Sequence, residues 1–458
     1  MNPASPRFSF VVGTTSLAFV VGQLDVTIVN VALPHIATEF SARVATLQWI
    51  VDAYTLAFAI FMLSAGALGD RFGSRRGFVM GFAVFGVASL LCGLAPDSLS
   101  LIAARALQGL GAAVMLPNSL ALLNHVFFDA PTERGRAIGW WTAAGSISIA
   151  AGPVIGGLLM DTVGWRWIFF VNLPLCLAGM LLGLRLPETE RHAHSHRIDW
   201  TGQILVTLAL TALIAAVIEA RPLGFGHPFI WGGFTLACLL GFAFLRVQQR
   251  VPEPTIPLDL FRNRTFNAAV IFGMAVNLTY YGMLFVLTLY LQRVLGYSAL
   301  HAGLAFLPLT AGFFLSNVIS GWVMGRFGRR LPILLGASLD AAGFLLLLSV
   351  AGASSHILLF VAFLLIPTGM GLAVPAMTTT VLASVPKQRS GTASAVLNAA
   401  RQAAGAIGVA VFGSLANGDA AQTISGLREA AWVSIGLLLL AAWGIFKAPM
   451  PHVVPAKV

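Results

Sequence analysis

GALGDRFGSRR fills residues 66–76, and GWVMGRFGRR fills residues 321–330. Gly66, Arg71, Phe72 and Gly73 return as Gly321, Arg326, Phe327 and Gly328, at a constant offset of 255. Each segment closes a long apolar run with a basic, glycine-bearing turn. The same turn at matching places in the chain marks two related halves, an organisation common in membrane bundles.

Outward from these turns the sequence is apolar. Of 458 residues, 58% are hydrophobic and 10% are charged, whereas a soluble domain carries about 25% charged residues. So much apolar surface calls for lipid as the surrounding solvent. The net charge of +10 comes from short clusters between apolar runs, the pattern of loops on one side of a membrane. It therefore does not imply nucleic acid. Cys92, Cys176 and Cys238 lie inside apolar stretches, form no CxxC pair, and read as small hydrophobic residues.

A helix needs about 20 apolar residues to cross the hydrocarbon layer. Fourteen stretches qualify or nearly qualify: 9–33, 46–69, 77–95, 98–122, 137–160, 166–186, 200–220, 228–246, 266–291, 301–324, 331–351, 356–380, 390–416 and 430–447. The thirteenth is interrupted by glycines. The first follows a lone Arg7, as a signal peptide would, but it is long and contains Asp25 and Asn30, so it reads as a retained helix. With the N-terminus inside, 20 of the 27 Lys and Arg fall in inside segments, five outside and two within spans. That bias predicts both termini in the cytoplasm, and the expected location is a bacterial inner membrane crossed several times.

The reading is an all-α polytopic membrane protein with 14 transmembrane helices, in two pseudo-symmetric six-helix bundles plus two extra central helices. Residues 1–190 form the N-terminal bundle, 191–250 the linker and extra helices, and 251–458 the C-terminal bundle.

Further motifs carry a resemblance. GALGDRFGSRR is similar to the loop signature of the major facilitator superfamily. LDVTIVNVALP (24–34) looks like the first-helix motif of its 14-helix drug:proton antiporters. RALQGLGAAVMLP (105–117) resembles their fourth-helix motif, and GSISIAAGPVIGG (145–157) the fifth-helix motif associated with exporters. WRWIFFVNLP (165–174) and the extra central pair also fit, so the resemblance covers essentially the whole chain. The second half departs from the pattern. Gly325 stands where the loop motif would repeat its Asp, and Leu365 roughly where Arg105 would recur. The charged machinery is thus expected in the first half.

Asp25 lies in mid-span between apolar neighbours. A carboxylate there costs at least ~2.5 kcal/mol on insertion scales. Protonation relieves that cost, which suits Asp25 to carry a proton; the plainer reading is a structural hydrogen bond near Thr27 and Asn30. Asp52, in WIVDAY, is the second candidate acid, or else an interfacial residue reaching headgroup water. Arg105 cannot shed its charge and needs a partner or water. The resemblance gives it a role in proton transfer, with Asp25 one possible partner and Gln108 on the same helix face.

In the loop motif Gly66, Asp70, Arg71, Gly73, Arg75 and Arg76 form the expected gate. By resemblance Asp70 docks on the N-terminus of a second-half helix beginning near Arg389 and Ser390. Arg71, Arg75 and Arg76 anchor to lipid and pair across the gate. Gly145, Gly152, Pro153, Gly156 and Gly157 place small residues and a proline on the fifth span, as a hinge or as generic close packing. Cavity candidates are Asn30, Gln108, Tyr280, Tyr281, Asn398, Arg401 and Gln402, with Phe58, Phe61 and Phe285 as apolar wall. Asp340 and Glu219 are isolated acids. His192, His194 and His196 form HAHSH, which reads as a solvated linker and not a metal site.

Nothing resembles an enzyme, and no GxxxxGK[ST] loop is present to use ATP. An ion gradient is then the energy source, at about 2.3 kcal/mol per charge per 100 mV. The resulting expectation is proton-coupled efflux of small lipophilic or cationic organic compounds by alternating access. The chain would act as a monomer with substrate, protons and the lipid bilayer as partners, and with no cofactor or metal. The alternatives are a dedicated exporter of one secondary metabolite or amino-acid-like compound, a proton-coupled importer, and a non-transporting receptor or scaffold.

Overall fold

The computed structural model describes residues 8–127, 130–188, 199–252, 254, 256–350, 356–386 and 389–449. They fold into helices α1 (Phe8–Glu39), α2 (Val44–Phe72), α3 (Ser74–Gly93), α4 (Ser98–Val126), α5 (Pro131–Thr162), α6 (Trp167–Phe170), α7 (Asn172–Gly183), α8 (Trp200–Leu223) and α9 (Pro228–Gln248). Then follow α10 (Arg264–Leu289), α11 (Ala299–Ala305), α12 (Leu307–Phe327), α13 (Arg330–Val350), α14 (His356–Ala383), α15 (Ser390–Leu415) and α16 (Ala420–Lys447). No strand occurs among the described residues.

Twelve of the helices among the described residues are long and apolar enough to cross a membrane. The other two expected spans are each divided between two consecutive helices. The stretch at 166–186 is split into α6 and α7 at Val171, and the stretch at 301–324 is split into α11 and α12 at Phe306. Pro174 and Pro308 sit just past these breaks; a proline lacks the N–H that would tie its turn to the one before. Large apolar side chains such as Trp231, Trp322, Leu440 and Trp443 are exposed around the bundle. In water such a surface would aggregate, and in lipid it is matched. The chain is a multi-pass membrane protein.

The two halves pack alike. α1 lies on α5, α2 on α4, and α3 on both α4 and α7. Correspondingly, α10 lies on α15, α12 on α14, and α13 on both α14 and α16. Gly73 ends α2 at φ 93° and Gly328 ends α12 at φ 78°. The repeated glycine therefore serves the same purpose twice: only a residue without Cβ reverses the chain there cheaply. Between the halves, α2 packs on α15 while α5 packs on α11 and α12. α8 and α9 pair with each other, and α8 leans on α2 and α15. Gln203 of α8 fastens to α2, donating to the Ile60 carbonyl at 2.8 Å and pairing with Ser64.

Two expectations change. α15 is one continuous helix despite its glycines, because these are contact points. A Cβ on Gly413 would lie 2.6 Å from Gln48, and one on Gly405 would lie 3.0 Å from the Tyr281 ring. α16 begins ten residues before the expected start at 430, because Asp419 caps the helix by accepting from the Gln422 N–H at 2.8 Å. Hydropathy alone passed over that polar first section.

Candidate functional site

Asp25 of α1 is completely buried, and so are Arg105 and Gln108 of α4, Ser89 of α3 and Asn172 of α7. The three-residue spacing on α4 aims Arg105 and Gln108 the same way. Arg105 Nη1 pairs with Asp25 Oδ2 and donates to Gln108 Oε1 at 2.7 Å. Gln108 Nε2 donates to Asp25 Oδ1 at 2.8 Å, and Asn172 Nδ2 donates to the same oxygen at 3.0 Å. Ser89 Oγ accepts from Gln108 and Asn172, at 3.1 and 3.0 Å, and donates to the Phe169 carbonyl at 2.9 Å. Arg105 Nε reaches the Ile50 carbonyl at 3.2 Å, and the guanidinium lies 4.4 Å from the centre of the Tyr54 ring.

Four helices thus hold one carboxylate and one guanidinium in a dry, hydrogen-bonded cage. Breaking such a pair from one side leaves an uncompensated interior charge, which costs far more than the net worth of the pair. Losing the charge of either partner would leave the other without its counter-charge. Asn172 and Ser89 were not singled out from sequence. The available signal was an amide inside the aromatic WRWIFFVNLP stretch; a lone serine in an apolar span carries none.

Asp52 is fully buried, and neither carboxylate oxygen finds a partner among the described residues. The headgroup reading is thereby overturned. It lies one turn along α2 from Gln48, whose Nε2 donates across the halves to the Ala410 and Val409 carbonyls at 2.6 and 3.1 Å. Helical spacing places Asp52 and Gln48 on one face, so Asp52 sits at the α2–α15 seam. Asp340 of α13 is also buried, with Oδ1 unpartnered among the described residues.

The side chains of Gly66, Asp70 and Arg71 lie outside the described residues, and so do His192, His194 and His196. Arg75 and Arg76 are engaged within their own half in this structure. Arg75 donates to Glu188 at 2.7 Å and to the Leu186 carbonyl at 3.1 Å, and Arg76 lies 3.8 Å from Glu188. Both arginines clasp the chain just after α7, inside their own half, because that segment returns beside the α2–α3 turn.

The fifth-span motif has two faces. Gly145, Gly152 and Gly156 admit Phe19, Thr27 and Ile28 of α1. Gly157 meets Leu300 and Ala299, with a Cβ placed there only 2.6 Å from Leu300 Cα, and Gly303 rests on the Pro153 carbonyl. Gln292 Nε2 donates to the Val31 carbonyl at 3.0 Å in the same region. The hydrogen bonds that Gln48, Gln292 and Ser298 make between the halves lie toward the face where α1 ends. Gly303→Val should pry this face apart, since overpacking costs about 1–3 kcal/mol. Spin labels at Ala42 and Asn417 should report a longer separation, and an unchanged distance distribution would show that the glycine contact does not hold the seal.

Of the cavity candidates, Gln108 belongs to the Asp25 cage. Asn30 is buried and donates to the Val26 carbonyl of its own helix at 2.9 Å. Asn398 likewise donates to the Ser394 carbonyl at 3.0 Å. Phe58, Phe285 and Tyr280 are core residues. Tyr281, Arg401 and Gln402 are half-buried, and Tyr281 packs against the cores of both halves.

A helical bundle of two matched halves that meet at one face, with an intramembrane ion pair buried inside the first half, is the build of a membrane transporter. The chain belongs to the Major Facilitator Superfamily, whose family model matches residues 15–409. It is 38% identical over 405 residues to the multidrug resistance protein Stp of Mycobacterium tuberculosis, covering 88% of this chain and 74% of that one. It is 35% identical over 400 residues to a methylenomycin A resistance protein of Bacillus subtilis, covering 87% and 85%. It is 35% identical over 407 residues to the tetracenomycin C resistance and export protein of Streptomyces glaucescens, covering 88% and 75%. A bacterial homologue of the human lysosomal transporter Spinster, solved inward-facing and unoccupied, matches in fold with a TM-score of 0.65 at 18% identity, over 97% of this chain and 98% of that one.

Proposed function

We propose that this protein is a proton-coupled exporter of small lipophilic organic compounds, antibiotics among them, working by alternating access. The carrying observation is the cage around Asp25, in which a carboxylate and a permanent cation are sealed from water at mid-bundle. Relatives named for drug resistance and export favour outward transport. In this reading α6–α7 and α11–α12 each complete a crossing, giving fourteen. The halves are residues 1–190 and 251–458, with 191–250 inserted between them. Both termini lie in the cytoplasm of a bacterial inner membrane, and the chain works as a monomer without catalytic chemistry.

Gln48, Gly157 and Gly303 close the outer face while substrate enters from the cytoplasm. Protonation of Asp25 from outside loosens Arg105, and its release inside resets the cage. Asp52, at the seam between halves, serves as a second acid. Asp70 completes the inner gate. The test is flux in proteoliposomes under an imposed pH gradient, with tetracenomycin C, methylenomycin A and puromycin as the panel. Compound and protons should move in opposite directions. A protein that carries none of the panel and dissipates no gradient ends the proposal. Transport of only one compound would favour the dedicated-exporter reading, which relatives named for single antibiotics support.

A further inference from the structure

Arg401 stands at the twelfth position of the 26-residue α15, too far from either end for its charge to reach a membrane face. Its stem lies against Gly273 of α10, where an added Cβ would come 3.2 Å from Arg401 Cγ. Its Nε donates to Asn277 Oδ1 at 3.0 Å. The anchor is deliberate in form, since Asn277 is itself buried and α10 has no side chain at Gly273 to obstruct the approach. Yet Asn277 is an amide. It accepts the hydrogen bond and brings no charge.

Among the described residues no carboxylate lies within ion-pair distance of Arg401. The contrast with Arg105, neutralised by Asp25, is complete. Arginine keeps its charge, and an intramembrane charge is expensive unless paired or facing a hydrated path. Arg401 is half-buried, and neither of its terminal nitrogens is among the buried groups that lack a partner. Beside it, Tyr281 packs on Gly405 one turn along α15 and touches the cores of both halves. Arg401 therefore stands against α10 beside Tyr281, the ring that reaches both halves.

We propose that Arg401, held by Asn277 and flanked by Tyr281, is the anion-accepting element of the substrate path. It favours compounds that combine an aromatic or aliphatic body with a carboxylate, sulfonate or phenolate group. The planar guanidinium offers two parallel N–H donors to such a group, and Tyr281 offers a ring to the body. Within the class of small lipophilic compounds, permanently cationic members are then disfavoured by the same charge. The inference rests on the efflux reading above and specifies its substrate.

Two probes of equal ring size and opposite fixed charge test it: naphthalene-1-sulfonate and trimethyl(1-naphthyl)ammonium. Thermal stabilisation of the purified full chain reads binding separately from transport. The sulfonate should stabilise the wild type at lower concentration than the ammonium. Arg401→Gln should weaken the sulfonate roughly tenfold or more, the scale of one lost charged hydrogen bond, and leave the ammonium unchanged or improved. Arg401→Lys, which keeps the charge, should restore part of the sulfonate response and shows whether the site tolerates substitution. A wild type indifferent to the sign of charge, or an Arg401→Gln chain that weakens both probes equally, overturns the proposal. The panel flux assay is independent: export that persists there with no charge preference here refutes the role of Arg401 alone, and absent flux with intact sulfonate binding refutes efflux alone.

Discussion

Asp25→Asn should reduce the accumulation ratio of exported compound to about one under any imposed pH gradient. A pH difference of one unit is worth ~1.4 kcal/mol per proton, or roughly tenfold in a concentration ratio. An exporter that has lost its proton carrier forfeits that factor entirely. The substitution preserves shape, and an Asn oxygen still accepts from Gln108 and Asn172, which donate to Asp25 Oδ1 at 2.8 and 3.0 Å. The protein should therefore still insert, less stably than the wild type because Arg105 loses its counter-charge, and downhill movement of compound should persist, now indifferent to pH. Proteoliposome flux with and without the gradient separates the two quantities. Accumulation that still follows the gradient would transfer the proton role to another acid, with Asp52 next in line because both its oxygens are buried without partners among the described residues.

Arg105→Leu should be the most destabilising single change in the first half. It strands the Asp25 carboxylate at zero exposure, and removing one member of a buried pair costs about 3–5 kcal/mol. The Ile50 carbonyl, which accepts from Arg105 Nε at 3.2 Å, and the Tyr54 ring face lose their partner as well. The double variant Asp25→Asn with Arg105→Leu should be more stable than Arg105→Leu alone, because no lone charge remains. Thermal midpoints of the four proteins form the cycle, and simple additivity would mean that the pair seen here carries little coupling. Arg105→Lys keeps the charge without the planar fork, so it should recover stability better than transport.

Much of this molecule is written in its residues at short range. Run length and charge placement made the helices readable, since a span must satisfy every backbone group internally and must be apolar enough for lipid. Asp25 and Arg105 were legible because charges are so rare in such spans that each one demands an explanation. The aromatic cavity wall was not. Phe58 and Phe285 proved to be core, for an apolar side chain in a bundle looks the same in sequence whether it meets another helix, a substrate or lipid.

Readable from the residues alone were a membrane-embedded, all-helical chain of two related halves, the turns at Gly73 and Gly328, and the acids and cations from which a coupling device could be built. Those are local or periodic properties, set by hydropathy, backbone freedom and spacing along one helix. Which groups meet was settled by how the helices pack. Packing brought Asn172 to Asp25 and Ser89 to Asn172 and Gln108, turned Arg75 and Arg76 onto Glu188, set Gln48 against α15, and gave Arg401 an amide in place of an acid. Partners of this kind lie tens to hundreds of residues apart, and whether a charge is neutralised depends on the rotation and crossing of packed helices, which no single helix encodes.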